Sequence, residues 1–168
     1  MNCTKCHLHK YRRNIVHGRG SLPCDICIVG EAPGMTEDLT GEAFTGRAGQ
    51  LLDKVIHEVN QSSGFKPRIY FMNILFCRAT DSIGGISREP ESDETFSCSE
   101  NVQKILDRTH AKHFIIIGDI TEKFIKRRIN HYTKLTHPVN VKRHGEASGY
   151  YQQILRTFET IFRQVGEK

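Results

Sequence analysis

The sequence predicts a three-layer α/β/α fold around a central, mostly parallel sheet of about four strands. Three observations carry that prediction. Apolar runs suited to buried strands recur at 24–29, 69–76 and 113–118. Stretches with apolar residues at helical spacing lie between them, so strands and helices alternate, as a parallel sheet covered on both faces requires. The first run also leads through Gly30-Glu31-Ala32-Pro33-Gly34 into a helix start, the place where an α/β sheet builds a small-molecule pocket.

Taken in order, residues 1–23 are polar, basic and cysteine-bearing, with Gly18, Gly20 and Pro23 as breakers, so they read as irregular chain tied down by a metal. Cys24 to Val29 forms the first strand. The block after it carries Glu37-Asp38, Gly41, Phe44, Gly46 and Gly49-Gln50-Leu51-Leu52. Its glycines permit close backbone approach to a ligand, Phe44 offers a flat stacking face, and Glu31, Glu37 and Asp38 supply carboxylates. Leu51, Leu52, Val55, Ile56 and Val59 then recur at helical spacing until Gly64 and Pro67. Ile69 to Phe76 is a second buried strand, followed by a loop from Arg78 to Pro90 whose Gly84-Gly85 makes it flexible or ligand-facing. Glu94 to His110 reads as a helix through Phe96, Val102, Ile105 and Leu106, and His113 to Gly118 is the clearest buried strand. A helix over Ile120 to Ile129 ends on Lys126-Arg127-Arg128, and Tyr150 to Val165 is strongly amphipathic.

A chain of 168 residues suits one domain, 1–168, with 1–23 as a cysteine-bearing appendage. Against 19 acidic residues there are 24 basic ones, a net charge of +5 that permits an anionic partner such as nucleic acid without demanding one. The first residues lack the apolar core of a signal peptide, and no stretch is long enough to span a bilayer, so the expectation is a cytoplasmic protein. In that compartment six cysteines point to metal ligation or burial rather than disulfides.

Those cysteines divide in two ways. Cys3-x2-Cys6 with Cys24-x2-Cys27 has zinc-ribbon spacing, although on a strand running from Cys24 residues three apart face opposite sides. Cys3 and Cys6 with Cys77 and Cys98 would instead gather four thiolates from separate elements, as an iron–sulfur cluster needs. Spacing alone leaves both groupings standing, with plain burial a further reading for Cys24 and Cys27.

The block at 30–52 resembles the signature of the family-four, iron–sulfur uracil-DNA glycosylases, G-E-x-P-G-x-x-E-D-x-x-G-x-P-F-x-G-x-A-G-x-L-L, with Ala43 in place of the proline before Phe44. Asn73-Ile74-Leu75-Phe76-Cys77-Arg78 resembles the family's N-x-x-x-C-R segment. Arg88-x-Pro90-x3-Glu94-x3-Cys98 resembles its R-x-P-x3-E-x3-C segment, and His137-Pro138 its second catalytic motif. The likeness covers roughly residues 1–165. Departures are the longer loop from Ala79 to Ser87, the sequence Val139-Asn140-Val141-Lys142-Arg143 after the His-Pro pair, and a shortened stretch between Gly118 and His137. Lys126-Arg127-Arg128-Ile129 shares residues with a loop of a related covalent-trapping subgroup, but at the wrong place in the chain.

The resemblance implies a structural 4Fe–4S cluster on Cys3, Cys6, Cys77 and Cys98, and removal of uracil from single- or double-stranded DNA by a monomer associated with the nucleoid. It places Gly30, Ala32, Phe44 and Asn73 in the base pocket. Phe44 stacks on a flipped pyrimidine, and Asn73 reads its edge with one donor and one acceptor. His137 donates to the departing base, while Glu31 and Glu37 position water or stabilise the cationic sugar. Lys142 and Arg143 meet phosphates. Arg78 and Arg88 do so less directly, or one of them supports the cluster loop. Ala32 stands where other glycosylase families place a water-activating aspartate. Three rival readings follow: a glycosylase for another modified base, a protein that binds uracil or damaged DNA without cleaving it, and a zinc-ribbon adaptor.

Overall fold

The computed structural model describes residues 2–137 and 149–167. Five strands, β1 (Arg19–Gly20), β2 (Ile26–Gly30), β3 (Ile69–Asn73), β4 (His113–Ile117) and β5 (Tyr132–Leu135), form one sheet in the order β1-β3-β2-β4-β5. The last four are parallel, and the two-residue β1 runs antiparallel along the β3 edge. Five helices accompany them: α1 (Met35–Thr40), α2 (Arg47–Ser63), α3 (Ser92–Thr109), α4 (Asp119–Ile125) and α5 (Gly149–Gly166).

Every residue of β2 is buried, and so are the last four of β3 and of β4. Strands covered on both faces lose the in–out alternation, which is why these three appear in the sequence as continuous apolar runs. On one face Leu52, Val55 and Val59 of α2 and Ile154, Phe158, Ile161 and Phe162 of α5 pack against Ile26, Ile28 and Ile115. Phe158 and Phe162 are fully buried, with ring centroids 6.1 Å apart. On the other face Val102 and Leu106 of α3 and Ile125 of α4 cover Cys27, Val29, Met72 and Ile116. The expected three layers are present. No helix among the described residues is long and apolar enough to cross a membrane.

Register aligns the strand ends. Gly30 lies opposite Asn73, and Ile117 opposite Leu135, so the carboxyl ends of four strands form one edge. From β2 the chain crosses to β3 on one side, and β4 returns on the other. That reversal opens a crevice beyond the carboxyl ends, where α/β sheets bind ligands.

Several elements differ from expectation. The strand expected from Cys24 is β2 and begins at Ile26. Residues 1–23 are less irregular than their composition indicates: a 3-10 turn at His7–Lys10 buries Leu8, and β1 joins the sheet. The glycine-rich block contains the short helix α1, closed by Gly41 at φ 77°. Strand β5 lies at the sheet edge with mostly accessible side chains, so it gives no apolar run to read. The basic run Lys126-Arg127-Arg128 follows α4 rather than ending it.

Candidate active site and thiol pocket

Gly30 ends β2 beside Asn73, which ends β3. A Cβ at Gly30 would lie 2.6 Å from Asn73 Oδ1 and 2.6 Å from Phe44 Cζ, so only glycine lets the amide and the ring converge there. Asn73 is 6% exposed and its amide makes no hydrogen bond to any described residue. Its donor and acceptor are therefore available to a ligand.

Phe44 occupies the left-handed region at φ 58°, a conformation that costs a bulky residue about 1–3 kcal/mol and persists only when its surroundings impose it. Two features impose it. Gly49 packs so closely that a Cβ there would lie 1.7 Å from the Phe44 carbonyl oxygen. Arg19 donates from Nε to the Ala43 carbonyl at 2.9 Å and from Nη2 to the Phe44 carbonyl at 3.2 Å. Its guanidinium stacks 4.0 Å over the Phe71 ring and pairs with Asp53 at 2.8 Å. The Phe44 ring lies 5.4 Å from that of Phe71 and is 8% exposed, so it belongs both to the core and to the pocket wall. Arg19 escaped sequence reading because its partners are 24 to 34 residues away and meet it only in the fold.

The carboxylates separate by environment. Glu37 accepts from the Gly34 N–H at 3.1 Å and the Gly46 N–H at 2.8 Å, so both its oxygens staple the loop that carries Phe44. Asp38 is buried and accepts from the backbone of Arg13 at 2.9 Å and Asn14 at 3.3 Å, anchoring the N-terminal segment to α1. Glu31 is half-buried, and its side chain bonds to no described residue. Burial, and then the negative charge of Glu89, push its pKa above the usual carboxylate range. Its backbone is fixed, with Leu75 N–H bonded to the Glu31 carbonyl at 3.1 Å. Ala32, half-buried beside it, offers no proton acceptor.

His137 follows β5 by two residues and sits at the same sheet edge. One side of it meets solvent, yet the protein around the ring disfavours the charged form and lowers its pKa. A neutral imidazole remains a hydrogen-bond donor. Lys142 and Arg143, expected at phosphates, lie outside the described residues. Neither Arg78 nor Arg88 is free to face a phosphate. Arg78 is buried, donating from Nε to Ser87 Oγ at 2.8 Å and through Nη2 to the Gly85 carbonyl.

Cys3, Cys6, Cys77 and Cys98 line one pocket with Arg12, Ile15, Phe76 and Asn101. Cys24 and Cys27 lie elsewhere and are fully buried, with Cys24 N–H bonded to the Thr109 carbonyl at 2.8 Å. Because Cys24 precedes the strand, alternation does not part the two side chains, and each thiol shifts the other's pKa. Opposite facing is therefore not what excludes them from a zinc site. They are excluded because the fold brings Cys3 and Cys6 to Cys77 and Cys98 instead.

The spacing of this quartet discriminates further. One tetrahedral zinc, with Zn–S near 2.3 Å, sets its sulfurs about 3.8 Å apart. Among the described residues, the one group of three metal-type ligand atoms within 4.8 Å of one another is His7, Glu91 and Glu94, so no three of these thiols approach that closely. The donor set suits a wider, multinuclear body. Burial pushes the Cys98 thiol up to about 11 and raises Cys77 as well, although Arg12 Nη1, 3.3 Å from Cys77 Sγ, works against the latter. Thiolates in such surroundings need a cationic partner.

An ion-pair network braces this pocket. Glu94, fully buried on α3 one turn before Cys98, accepts from Arg88 at 2.7 and 3.0 Å and from the Glu91 N–H at 2.7 Å. It also lies 3.0 Å from Nε2 of His7, the residue after Cys6. Burial would raise its pKa, but Arg88 and the Glu91 N–H outweigh that and hold it below the ordinary value. Arg88 Nη2 is 3.4 Å from His7, so a guanidinium already fills the place a metal would take among His7, Glu91 and Glu94.

Fold and site together define an α/β protein whose candidate ligand site, the meeting of Gly30, Phe44 and Asn73, lies at the carboxyl ends of its parallel strands. The profile of the Uracil DNA glycosylase superfamily matches residues 17–159, and the chain belongs to that superfamily, in its type-4 branch. It is 31% identical to a protein of Saccharolobus solfataricus called Type-4 uracil-DNA glycosylase, over 98% of this chain and 81% of that one. A protein of the same name from Archaeoglobus fulgidus is 29% identical over 99% of this chain and 88% of its own length. One from Thermotoga maritima is 40% identical over 57% of this chain and 46% of its own.

Proposed function

We propose that this chain, acting as a single-domain monomer, hydrolyses the N-glycosidic bond of uracil in single- or double-stranded DNA and leaves an abasic site for base excision repair. The observation that carries the proposal is the convergence over Gly30 of the Phe44 ring and the unpaired Asn73 amide, in a chain that resembles type-4 glycosylases along almost its whole length. A nucleotide turned out of the stack enters beyond the strand ends. Phe44 stacks on its ring. The Asn73 amide donates to a carbonyl oxygen and accepts from the adjacent ring N–H, a pattern that uracil presents and cytosine inverts.

Breaking the bond leaves negative charge on the base and positive charge on the sugar. His137, kept neutral by its lowered pKa, donates to the base oxygen as that charge develops, a contribution on the order of 3 kcal/mol. Glu31 is the carboxylate available for water or the sugar cation, and its raised pKa makes it a better proton acceptor than an ordinary glutamate. Glu37 acts through the loop, as a positioning residue. Lys142 and Arg143 meet the backbone phosphates. Since its substrate is DNA, the working place is the cytoplasm at the nucleoid.

Cys3, Cys6, Cys77 and Cys98 suit a structural 4Fe–4S cluster by their number and spread and by the burial of Cys77 and Cys98. When bound, it supplies a covalent tie between the N-terminal segment, the end of β3 and α3. Ala32 favours the second reading, a protein that binds uracil without cleaving it, since that position lacks a proton acceptor. Incubation with uracil-containing single- and double-stranded oligonucleotides separates the two. Free uracil and alkali-labile abasic sites are expected; tight binding with neither product overturns hydrolysis.

A further inference from the structure

Between α3 and α4 lies a groove of about 490 Å³ that shares no residue with the strand-end site. Its α3 wall is Ser92, Thr95, Phe96 and Ser99, one face of the helix at i, i+3, i+4 and i+7 spacing, and it carries no charge. The other wall holds Phe124 with Lys123, Lys126, Arg127 and Arg128, from α4 and the residues directly after it. Of the nine phenylalanines Phe96 is the one that is exposed, at 79%. Phe124 is half-buried and is held by Arg128, whose guanidinium stacks 4.5 Å from its ring and donates to its carbonyl oxygen.

The four cations are all exposed, and no carboxylate is among the described residues that line the groove. The acidic residues of α4, Asp119 and Glu122, are both bound by Lys134 of β5, and Lys123 and Lys126 reach them only through space. Four positive charges are therefore gathered around two phenylalanine rings without a close anion. In the free protein the like charges repel and the exposed ring is a liability, so a ligand that brings both negative charge and an apolar side chain relieves both costs. DNA fits less well. The chain from Glu89, whose charge acts on Glu31, to Ser92 at the groove places the exposed Glu89, Glu91 and Asp93 along the way, and a nucleic-acid strand leading from the strand-end site would meet those carboxylates.

We propose that this groove docks an acidic segment of a partner protein, with an apolar side chain of that segment seated on Phe96 and Phe124. The cations steer and orient the segment, and the two rings supply the desolvated centre that holds it. Because the groove lies on the α3–α4 flank and not beyond the strand ends, partner and DNA can be bound together. The inference stands apart from the glycosylase reading, since filling the groove needs no uracil.

The probe is a synthetic, dye-labelled peptide of aspartate and glutamate with one central phenylalanine, titrated with the holoprotein and read by anisotropy. Wild type is expected to bind it saturably, and F96A and K126Q/R127Q each about tenfold or more weakly, with Tm and uracil release unchanged. A control peptide with glutamate in place of the phenylalanine should also bind about tenfold more weakly. Since the chain has no tryptophan, F96W gives a single emission from the groove itself, which the peptide should shift. No saturable binding by wild type, or binding of equal strength by both variants or by the control peptide, overturns the docking site. A uracil-free oligothymidylate that shifts the F96W emission at lower concentration than the peptide also overturns it and makes the groove a nucleic-acid surface. Wild type that binds the peptide as expected but releases no uracil supports docking and sinks the glycosylase reading alone.

Discussion

The thiol pocket draws its cysteines from three separate stretches, Cys3 with Cys6, then Cys77, then Cys98, and is braced by a buried ion pair between Arg88 and Glu94. At the strand ends Gly30 and Phe44, from one continuous block, meet Asn73, and the proposed site adds Glu31 and Ala32 from the same block and His137 from just past β5. In the first region distant pieces of chain must be held together, so its residues bear chiefly on stability. In the second the sheet already positions the backbone, so its side chains are free to be chosen for chemistry. Function and stability should therefore separate cleanly between the two.

The largest expected effect lies at the thiol end. Cys98→Ser should abolish the brown colour and the iron and sulfide content, with a loss of stability on the order of 5 kcal/mol, because ligation of a buried site is itself folding energy. Cys24→Ser and Cys27→Ser should keep the colour; equal loss from these would break the comparison and restore a zinc grouping. Next comes His137→Ala, which should slow uracil release about 100- to 1000-fold while leaving absorbance and Tm unchanged. Single-turnover kinetics beside a melting curve would show it.

A smaller effect is expected at Glu94. Glu94→Ala should lower unfolding free energy in urea by about 2–4 kcal/mol, since it strands part of an ion pair on the α3 side of the pocket. With its folded pKa depressed, the contribution of Glu94 is present above its unfolded value near 4.3 and is lost as pH falls through the folded one. The pH dependence of the stability difference between wild type and Glu94→Gln checks the sign. Smallest of all is Glu89→Gln. Since burial and then Glu89 raise the Glu31 pKa, and the ionised form is the acceptor, excision should rise with pH through that raised value. Removing the Glu89 charge should move this acid limb to lower pH.

The same contrast explains what was legible in the sequence. Strands β2, β3 and β4 announce themselves because burial on both faces writes apolar runs. Strand β5, at the edge and mostly accessible, writes none, and β1 is two residues long. In the strand-end pocket the glycine-rich block and Asn73 stand in recognisable order, so their meeting was expected. What holds Phe44 in place was not. Arg19 works through partners remote in sequence, while Glu37, three residues after Gly34, accepts from the N–H that opens α1, a helix-start role in place of the catalytic one the resemblance implied. At the thiol end, spacing left two groupings open because a pattern of cysteines says nothing of which strand ends come together. The family resemblance implied Cys3, Cys6, Cys77 and Cys98, and the fold brings those four to one pocket, away from Cys24 and Cys27.

The central claim, that the Asn73 amide beside Gly30 and Phe44 selects uracil for excision, is tested most directly by Asn73→Asp. Single-turnover release would be measured for wild type and variant on matched duplexes carrying one uracil or, at the same position, one cytosine. Wild type should release uracil and leave cytosine in place, and the variant, which lacks the amide donor, should lose uracil release about 100-fold or more with its colour and Tm retained. Uracil release by Asn73→Asp at the wild-type rate would contradict the account.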